Sequence, residues 1–122
     1  MTDSHPGNIR VLVIEDESLV AMMLEDMLDM IGYRVVGTAS NIEQAEQNIA
    51  AAGFDVAILD VNLNGAMSYG IAEKLRDMRL PFVLSTGYGR SGVPQAYRDS
   101  PLVAKPFRSQ DLRDALEAAL QP

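Results

Sequence analysis

The chain has 122 residues, of which 48% are hydrophobic and 22% charged, and its formal net charge is −7. This length suits one globular domain, and the composition excludes an intrinsically disordered chain. The absence of cysteine excludes disulfides, thiolate metal sites and cysteine nucleophiles, and the acidic charge argues against direct binding to nucleic acid.

The polar start predicts a flexible tail over residues 1–8, followed by one domain that fills residues 9–122. The start lacks the apolar segment of a secretory signal, and no later run is long and apolar enough to cross a membrane. We therefore expect a cytoplasmic protein.

The first third of the chain predicts two strands, each followed by a helix. Residues 9–14 are a short β-branched apolar run that stops at the acidic pair Glu15-Asp16. Apolar residues then recur at helical spacing between Leu19 and Ile31, and we interpret the methionines among them as core residues. A second strand is predicted over 35–39. The helix after it is expected to open with a capping box made by Ser40 and Glu43.

The remaining chain repeats this rhythm. An apolar run over 54–59 ends at Asp60, and a glycine-containing loop leads to a helix over 69–78. Strands follow over 81–85 and 102–104, ending at Thr86 and Lys105. A last helix, capped by Ser109, is predicted to run to residue 120.

Alternating strands and helices predict an α/β fold: a five-stranded parallel sheet in a doubly wound, flavodoxin-like three-layer sandwich. The segment between Thr86 and Leu102 carries Gly87, Gly89, Gly92, Pro94 and Pro101. These residues disfavour helix, so we expect the helix between the fourth and fifth strands to be short or missing.

Chemically capable side chains follow the strand ends, which meet at one edge of a parallel sheet. The carboxylates of Glu15, Asp16 and Asp60 would repel one another there unless a cation neutralised them. Oxygen ligands favour Mg²⁺ or Ca²⁺, and Mg²⁺ suits a site of few carboxylates completed by water and phosphate oxygens. The Thr86 hydroxyl and the Lys105 ammonium could hold a phosphoryl group, with Asp60 as its nucleophile.

In this order, these residues resemble the CheY-like receiver domain of two-component response regulators. The resemblance rests on Glu15-Asp16, Asp60, Thr86 and Lys105-Pro106 and covers nearly the whole chain. It implies a phosphoprotein that takes a phosphoryl group on Asp60 from a histidine kinase and catalyses only its own phosphorylation and dephosphorylation.

The resemblance also assigns the metal ligands. Asp16 and Asp60 would bind Mg²⁺ directly, Glu15 would act through water, and the backbone carbonyl of Asn62 would be a further ligand. The Lys105-Pro106 peptide bond is expected to be cis.

The fourth strand partly matches a receiver subgroup that reads Pro-Phe-x-Phe-Ala-Thr-Gly. Pro81-Phe82 and Thr86-Gly87-Tyr88 agree with it, whereas Leu84, Ser85 and Gly89 do not. The match implies a sensor kinase of the HWE or a related class as partner, or else a phosphotransfer protein. We expect a monomer or weak homodimer that signals by protein contact or phosphotransfer.

Departures from the family pattern lie in the signalling surface. Asn64 replaces the usual proline after the acceptor, the loop over 61–68 is longer than usual, and Leu102 replaces the usual switch aromatic. Tyr88 or Tyr97 could substitute for that aromatic, or both could be ordinary surface tyrosines.

Two other functions remain open: a receiver-like scaffold that acts without phosphorylation, and a phosphohydrolase with an aspartyl nucleophile. The hydrolase would want an acid-base carboxylate two residues after Asp60, where this chain has Asn62. The glycine string over 87–92 resembles a dinucleotide-binding turn, but the prolines after it leave no room for the required helix.

Overall fold

The computed structural model describes residues 8–87 and 93–121. Residues 1–7 of the predicted tail over 1–8, Tyr88 and most of the glycine string lie outside the described residues. The elements are β1 (Arg10–Ile14), α1 (Ser18–Met30), β2 (Arg34–Ala39), α2 (Ile42–Ala51), β3 (Val56–Asp60), β4 (Asn62–Leu63), β5 (Ala66–Met67), α3 (Tyr69–Asp77), β6 (Phe82–Thr86), β7 (Leu102–Ala104) and α4 (Ser109–Ala119).

Five strands form one sheet in the order β2-β1-β3-β6-β7, and every neighbouring pair is parallel. β3 and β6 are buried along their whole length, because helices cover both faces of the sheet. Ile14 is in register with Leu59, and Asp60 with Ser85. The carboxyl ends of the central strands therefore lie side by side, and the predicted doubly wound sheet is confirmed.

Alternate residues of each strand face opposite layers. One face packs on α1 and α4, with a core made by Val11, Val13, Leu24, Leu28, Leu112 and Leu116. The other packs on α2 and α3, with a core made by Leu12, Ile14, Ala45, Ile49, Ile71 and Leu75. The two layers enclose the sheet beneath the strand ends. In the part of the chain that the structure describes, no helix is long and apolar enough to cross a membrane.

The α1 methionines correct the sequence prediction. Met22 is 58% exposed, Met23 50% and Met30 79%, so the interpretation of these three as core residues is wrong. The buried face instead carries Ala21, Leu24 and Leu28. α1 has apolar residues on more than one face, and helical spacing alone does not decide which of them the sheet covers.

Both predicted serine caps are wrong by one position. Asn41 caps α2, because its side chain accepts a hydrogen bond from the Gln44 amide, and the Gln44 side chain accepts from the Ser40 amide. The arrangement resembles the predicted capping box moved by one residue, except that the Gln44 side chain bonds the amide of the residue before the cap. α4 begins at Ser109 itself, and the preceding Arg108 makes no side-chain cap bond.

The predicted loop after Asp60 contains a hairpin. β4 and β5 pair antiparallel, with Asn62 opposite Met67 and Leu63 opposite Ala66. The two turn residues, Asn64 (φ 54°) and Gly65 (φ 84°), both have positive φ, as a type I′ turn requires. An Asn-Gly pair is a strong hairpin signal, so the sequence did carry this information.

The segment after β6 holds only a turn of 3-10 helix, Gln95–Tyr97, in its described part, which agrees with the expected loss of a helix there. Tyr97 is 5% exposed, so its interpretation as a surface tyrosine is wrong. Its ring stacks on Tyr69 with 5.1 Å between centroids, and its hydroxyl donates to the Glu73 carboxylate. The Arg76 guanidinium lies 4.3 Å from the ring centroid. Tyr97 therefore attaches this segment to α3.

Candidate functional site

The predicted acidic residues come together at the carboxyl edge of the sheet. Glu15 and Asp16 follow β1, and Asp60 ends β3. One carboxylate oxygen from each of these residues lies within 4.8 Å of the others. The adjacency of β1 and β3 in the sheet produces this convergence, as the strand order predicts.

Asp60 is 4% exposed, and both of its carboxylate oxygens have partners. Oδ2 lies 3.0 Å from Lys105 Nζ, and Oδ1 accepts a hydrogen bond of 3.0 Å from the Asn62 amide. The Asp60 backbone carbonyl accepts a hydrogen bond of 2.5 Å from the Ser68 hydroxyl. The side chain is thus held in one orientation by groups from two elements.

Glu15 is more deeply placed, at 3% exposed. Its Oε2 accepts a hydrogen bond from the Glu17 amide, whereas its buried Oε1 accepts none, although it lies 3.1 Å from Lys105 Nζ. Burial, together with the nearby charge of Asp60, raises the pKa of Glu15 to about 7. A divalent cation bound beside this buried carboxylate would favour its ionised form and lower its pKa.

Lys105 lies between these two carboxylates, 3.1 Å from Glu15 and 3.0 Å from Asp60. Partial burial alone would lower the pKa of Lys105, but the two carboxylates outweigh it and the pKa is raised. The lysine therefore stays charged at neutral pH. Its peptide bond to Pro106 is cis, as expected.

The three carboxylates fit a hard divalent cation. They offer oxygen alone, and the described residues place no histidine or sulfur ligand in the cluster. Such a donor set, with room for water, favours Mg²⁺ or Ca²⁺ over zinc or copper. The carboxylates adjoin a cavity of about 360 Å³, lined by Asp16, Glu17, Asp60, Val61, Asn62, Thr86, Gly87 and Lys105.

Asn62 and Thr86 both line this cavity. Thr86 is 2% exposed, and its backbone carbonyl accepts a hydrogen bond of 2.9 Å from the Lys105 amide, which joins the ends of β6 and β7. The Asn62 side chain accepts a hydrogen bond of 2.8 Å from the Gly65 amide. The six residues predicted to bind the metal or the phosphoryl group therefore lie in or directly beside the acidic cluster.

Two residues with contacts to the site were missed by sequence reasoning. The Asn64 amide donates a hydrogen bond of 3.2 Å to Asp16 Oδ2, and Ser68, which is fully buried, contacts the Asp60 backbone. The Asn-Gly pair signals the turn that places Asn64. No comparable signal marks Ser68, because a serine before a helix looks like an ordinary cap.

Comparisons with known proteins agree with this geometry. The family described as Response regulator receiver domain matches residues 11–117. The chain is 32% identical over 115 residues to the transcriptional regulatory protein PdtaR of Mycobacterium tuberculosis, covering 91% of this chain and 56% of that protein. It spans about half the length of the curated relatives it matches.

Two solved structures are similar over most of both chains. The solution structure of SdrG from Sphingomonas melonis Fr1 is 40% identical, with a TM-score of 0.84, covering 94% of this chain and 98% of SdrG. The BeF3-activated conformation of SdrG, from Pseudomonas melonis Fr1, is 39% identical, with a TM-score of 0.82, covering 98% of this chain and 100% of that one. With its acidic cluster at the end of a five-stranded parallel sheet, the chain belongs to the family of response regulator receiver domains.

Proposed function

We propose that Asp60 accepts a phosphoryl group from a phosphohistidine in a Mg²⁺-dependent reaction, and that the phosphorylated domain signals to another protein or passes the group on. The observation that carries the proposal is the contact of the Asp60 carboxylate with Lys105 beside two further carboxylates and an open cavity. Phosphoryl transfer needs a nucleophile, a positively charged side chain such as Lys105 to pair with the phosphoryl oxygens, and ligands for a metal ion.

In the proposed step, one oxygen of the Asp60 carboxylate attacks phosphorus. A phosphorus-oxygen bond forms, the phosphorus-nitrogen bond of the phosphohistidine breaks, and its electron pair stays on the imidazole nitrogen. Lys105 would pair with a phosphoryl oxygen, and the Thr86 hydroxyl would donate to another. The chain thus catalyses only its own phosphorylation and, with water as acceptor, its own dephosphorylation.

Mg²⁺ would neutralise the charge that builds up on the phosphoryl oxygens. The proposed ligands are Asp16 and Asp60 directly, Glu15 through water and the Asn62 backbone carbonyl. The Asn62 amide faces the Asp60 carboxylate, and in an extended strand the amide and carbonyl of a residue point to the same edge. That geometry supports a carbonyl directed at the acidic cluster.

A phosphohydrolase is less well supported. Two residues after Asp60 stands Asn62, whose side-chain oxygen accepts a hydrogen bond from the Gly65 amide. An amide in this place supplies neither a general acid nor a general base.

The proposal also covers the phosphodonor, the cellular location and the oligomeric state. A sensor kinase of the HWE class or a phosphotransfer protein would supply the phosphoryl group to a cytoplasmic monomer or weak homodimer. The relative SdrG has a conformation described as BeF3-activated, and beryllofluoride has the tetrahedral shape and charge of a phosphoryl group. This supports phosphorylation, rather than binding alone, as the switch in the present chain.

The test is intact-mass measurement after incubation with acetyl phosphate, with and without Mg²⁺. We expect a gain of one phosphoryl group in the wild type that requires Mg²⁺ and is lost in Asp60→Asn. Asp55→Asn, which changes an aspartate at the opposite end of β3, should keep the gain. No gain in the wild type under any condition would replace the proposal with a scaffold that acts without phosphorylation.

A further inference from the structure

The β4–β5 hairpin lies across the rim of the acidic cluster. At its tip the Asn64 amide donates to Asp16 Oδ2 over 3.2 Å, and the Asn64 side-chain amide donates to the Ser40 backbone carbonyl over 3.4 Å. The hairpin follows β3 in the sequence, and its tip is hydrogen-bonded to the residues that follow β1 and β2.

The base of the hairpin is fixed independently of the tip. The Ser68 amide donates to the Val61 carbonyl over 3.0 Å, and the Ser68 hydroxyl donates to the Asp60 carbonyl over 2.5 Å. The Leu63 side chain is 1% exposed and belongs to the core between the sheet, α2 and α3. These contacts fix the base of the hairpin and so help to place its tip.

The tip keeps its shape because two adjacent residues have positive φ. Gly65, at φ 84°, takes this conformation without strain, and its amide donates to the Asn62 side chain over 2.8 Å. An alanine here would be strained by its backbone alone, because a Cβ at Gly65 meets nothing within 4 Å. Gly65 thus gives a way to disturb the turn without creating a clash.

We propose that this hairpin is a positioning element for the metal site, and that the Asn64 amide orients the Asp16 carboxylate toward the cation. The inference rests on the proposed function. One oxygen of Asp16 is held by a neutral donor, which fixes the side chain without cancelling its charge and leaves the other oxygen for the metal. Outer hydrogen bonds of this kind typically contribute about 10–100-fold to metal affinity.

Asn64 is on this view a positioning residue, because it acts through Asp16 and its own backbone. The same amide would be withdrawn by any change that opens the turn. A weaker hairpin should therefore lower the affinity for Mg²⁺ more than it lowers the stability of the domain as a whole.

The experiment compares Gly65→Ala with Gly53→Ala. Gly53 has a φ of 96° and also meets nothing within 4 Å of a built Cβ, but it precedes β3 at the opposite edge of the sheet. Both alanines impose the same kind of backbone strain, and only one of them disturbs the hairpin. Thermal unfolding without metal measures how far the backbone strain destabilises each variant. NMR titration of the amide signals with MgCl₂ measures how far the Mg²⁺ affinity changes.

We expect both variants to lose a few degrees of melting temperature, by roughly equal amounts. We expect the Mg²⁺ dissociation constant to rise about tenfold in Gly65→Ala and to change less than about twofold in Gly53→Ala. With acetyl phosphate, Gly65→Ala should need more Mg²⁺ and reach the same final level of phosphorylation.

An unchanged Mg²⁺ affinity in Gly65→Ala would overturn the inference and leave the proposed function intact. An equal loss in both glycine variants would also overturn it, since general destabilisation would then explain the effect. A wild type that binds no Mg²⁺ at all would overturn the proposed function together with the inference.

Discussion

Arg10 and Asp55 form an ion pair at the amino edge of the sheet, away from the acidic cluster. The Asp55 carboxylate accepts from Arg10 Nε over 3.2 Å and from Arg10 Nη2 over 3.1 Å, and it also accepts from the Arg10 backbone amide over 2.7 Å. The hydrogen bonds and charge of Arg10 lower the pKa of Asp55 below its ordinary value of 3.8. Both side chains are substantially exposed, so solvent screens much of this attraction.

Replacing Asp55 should therefore have an effect that depends on pH. A carboxyl group whose pKa is lower in the folded state stabilises fully above its ordinary pKa, and this stabilisation is lost as the pH falls through the folded value. We expect Asp55→Asn to melt below the wild type at neutral pH, and the gap to close below the ordinary value of 3.8. Thermal unfolding over the pH range in which both proteins fold measures this.

A double variant provides the control. Arg10→Gln should lower the melting temperature at neutral pH by about as much as Asp55→Asn does. The double variant should melt only slightly below either single variant, because both changes remove the same ion pair. A gap between Asp55→Asn and the wild type that stays constant with pH would contradict the prediction.

The residues of the site differ in how far sequence could identify them. Glu15, Asp16, Asp60, Thr86 and Lys105 each follow a strand in a regular alternation, so the topology alone predicts that they meet. Asn64 and Ser68 reach the site through their local backbone contacts. Such contacts depend on the shape of one hairpin, which the periodicity of the chain does not reveal.

At the scale of elements, α1 shows how much burial of one helix face contributes to the stability of the domain. Leu24 is 1% exposed and packs on the sheet, whereas Met22, two residues earlier, is 58% exposed. Both are large apolar residues in the same helix, and only one of them gains from burial.

We expect Leu24→Ala to lower the free energy of unfolding by about 2–5 kcal/mol, because it leaves a cavity in the core. Met22→Gln should change it by less than about 0.5 kcal/mol, because the side chain stays in water in either form. Urea unfolding measures both values. A cost for Met22→Gln close to that of Leu24→Ala would show that α1 is turned differently against the sheet.

The elements were predictable where periodicity and strand composition agree. The order of the five sheet strands and four helices follows from runs of apolar residues, and the observed bounds differ from the predicted ones by a few residues. The orientation of α1 and the β4–β5 hairpin were not predicted. The first depends on packing against the sheet, and the second on turn residues that were interpreted only as a loop.

At the scale of the whole molecule, the net charge of −7 and the acidic cluster both destabilise the folded domain through repulsion between negative charges. Excess negative charge destabilises a compact chain through self-repulsion, which salt screens at a distance. The cluster concentrates three carboxylates within 4.8 Å, and Lys105 sets a single positive charge against them, so a bound divalent cation would neutralise charge that the lysine leaves uncompensated. Salt in general and a specific divalent ion should therefore stabilise the domain by separable amounts.

We expect NaCl to raise the melting temperature moderately, and MgCl₂ at equal ionic strength to raise it further. Binding to the folded state alone adds about 1.4 kcal/mol at ten times the dissociation constant. The additional shift should disappear in Asp16→Asn and persist in Asp55→Asn. If NaCl alone reproduces the full Mg²⁺ shift in the wild type, the acidic cluster does not bind the ion.

The two ends of β3 lie at opposite edges of the sheet, and this has a practical consequence for labelling. Asp60 ends the strand at the edge that carries the acidic cluster, and Asp55 lies just before its other end, a separation of roughly 15–20 Å at strand rise. Because the chain contains no cysteine, a single cysteine introduced near Gly53 would be a unique attachment point. A fluorophore or surface tether placed there would report on the domain while leaving the face that carries the acidic cluster uncovered.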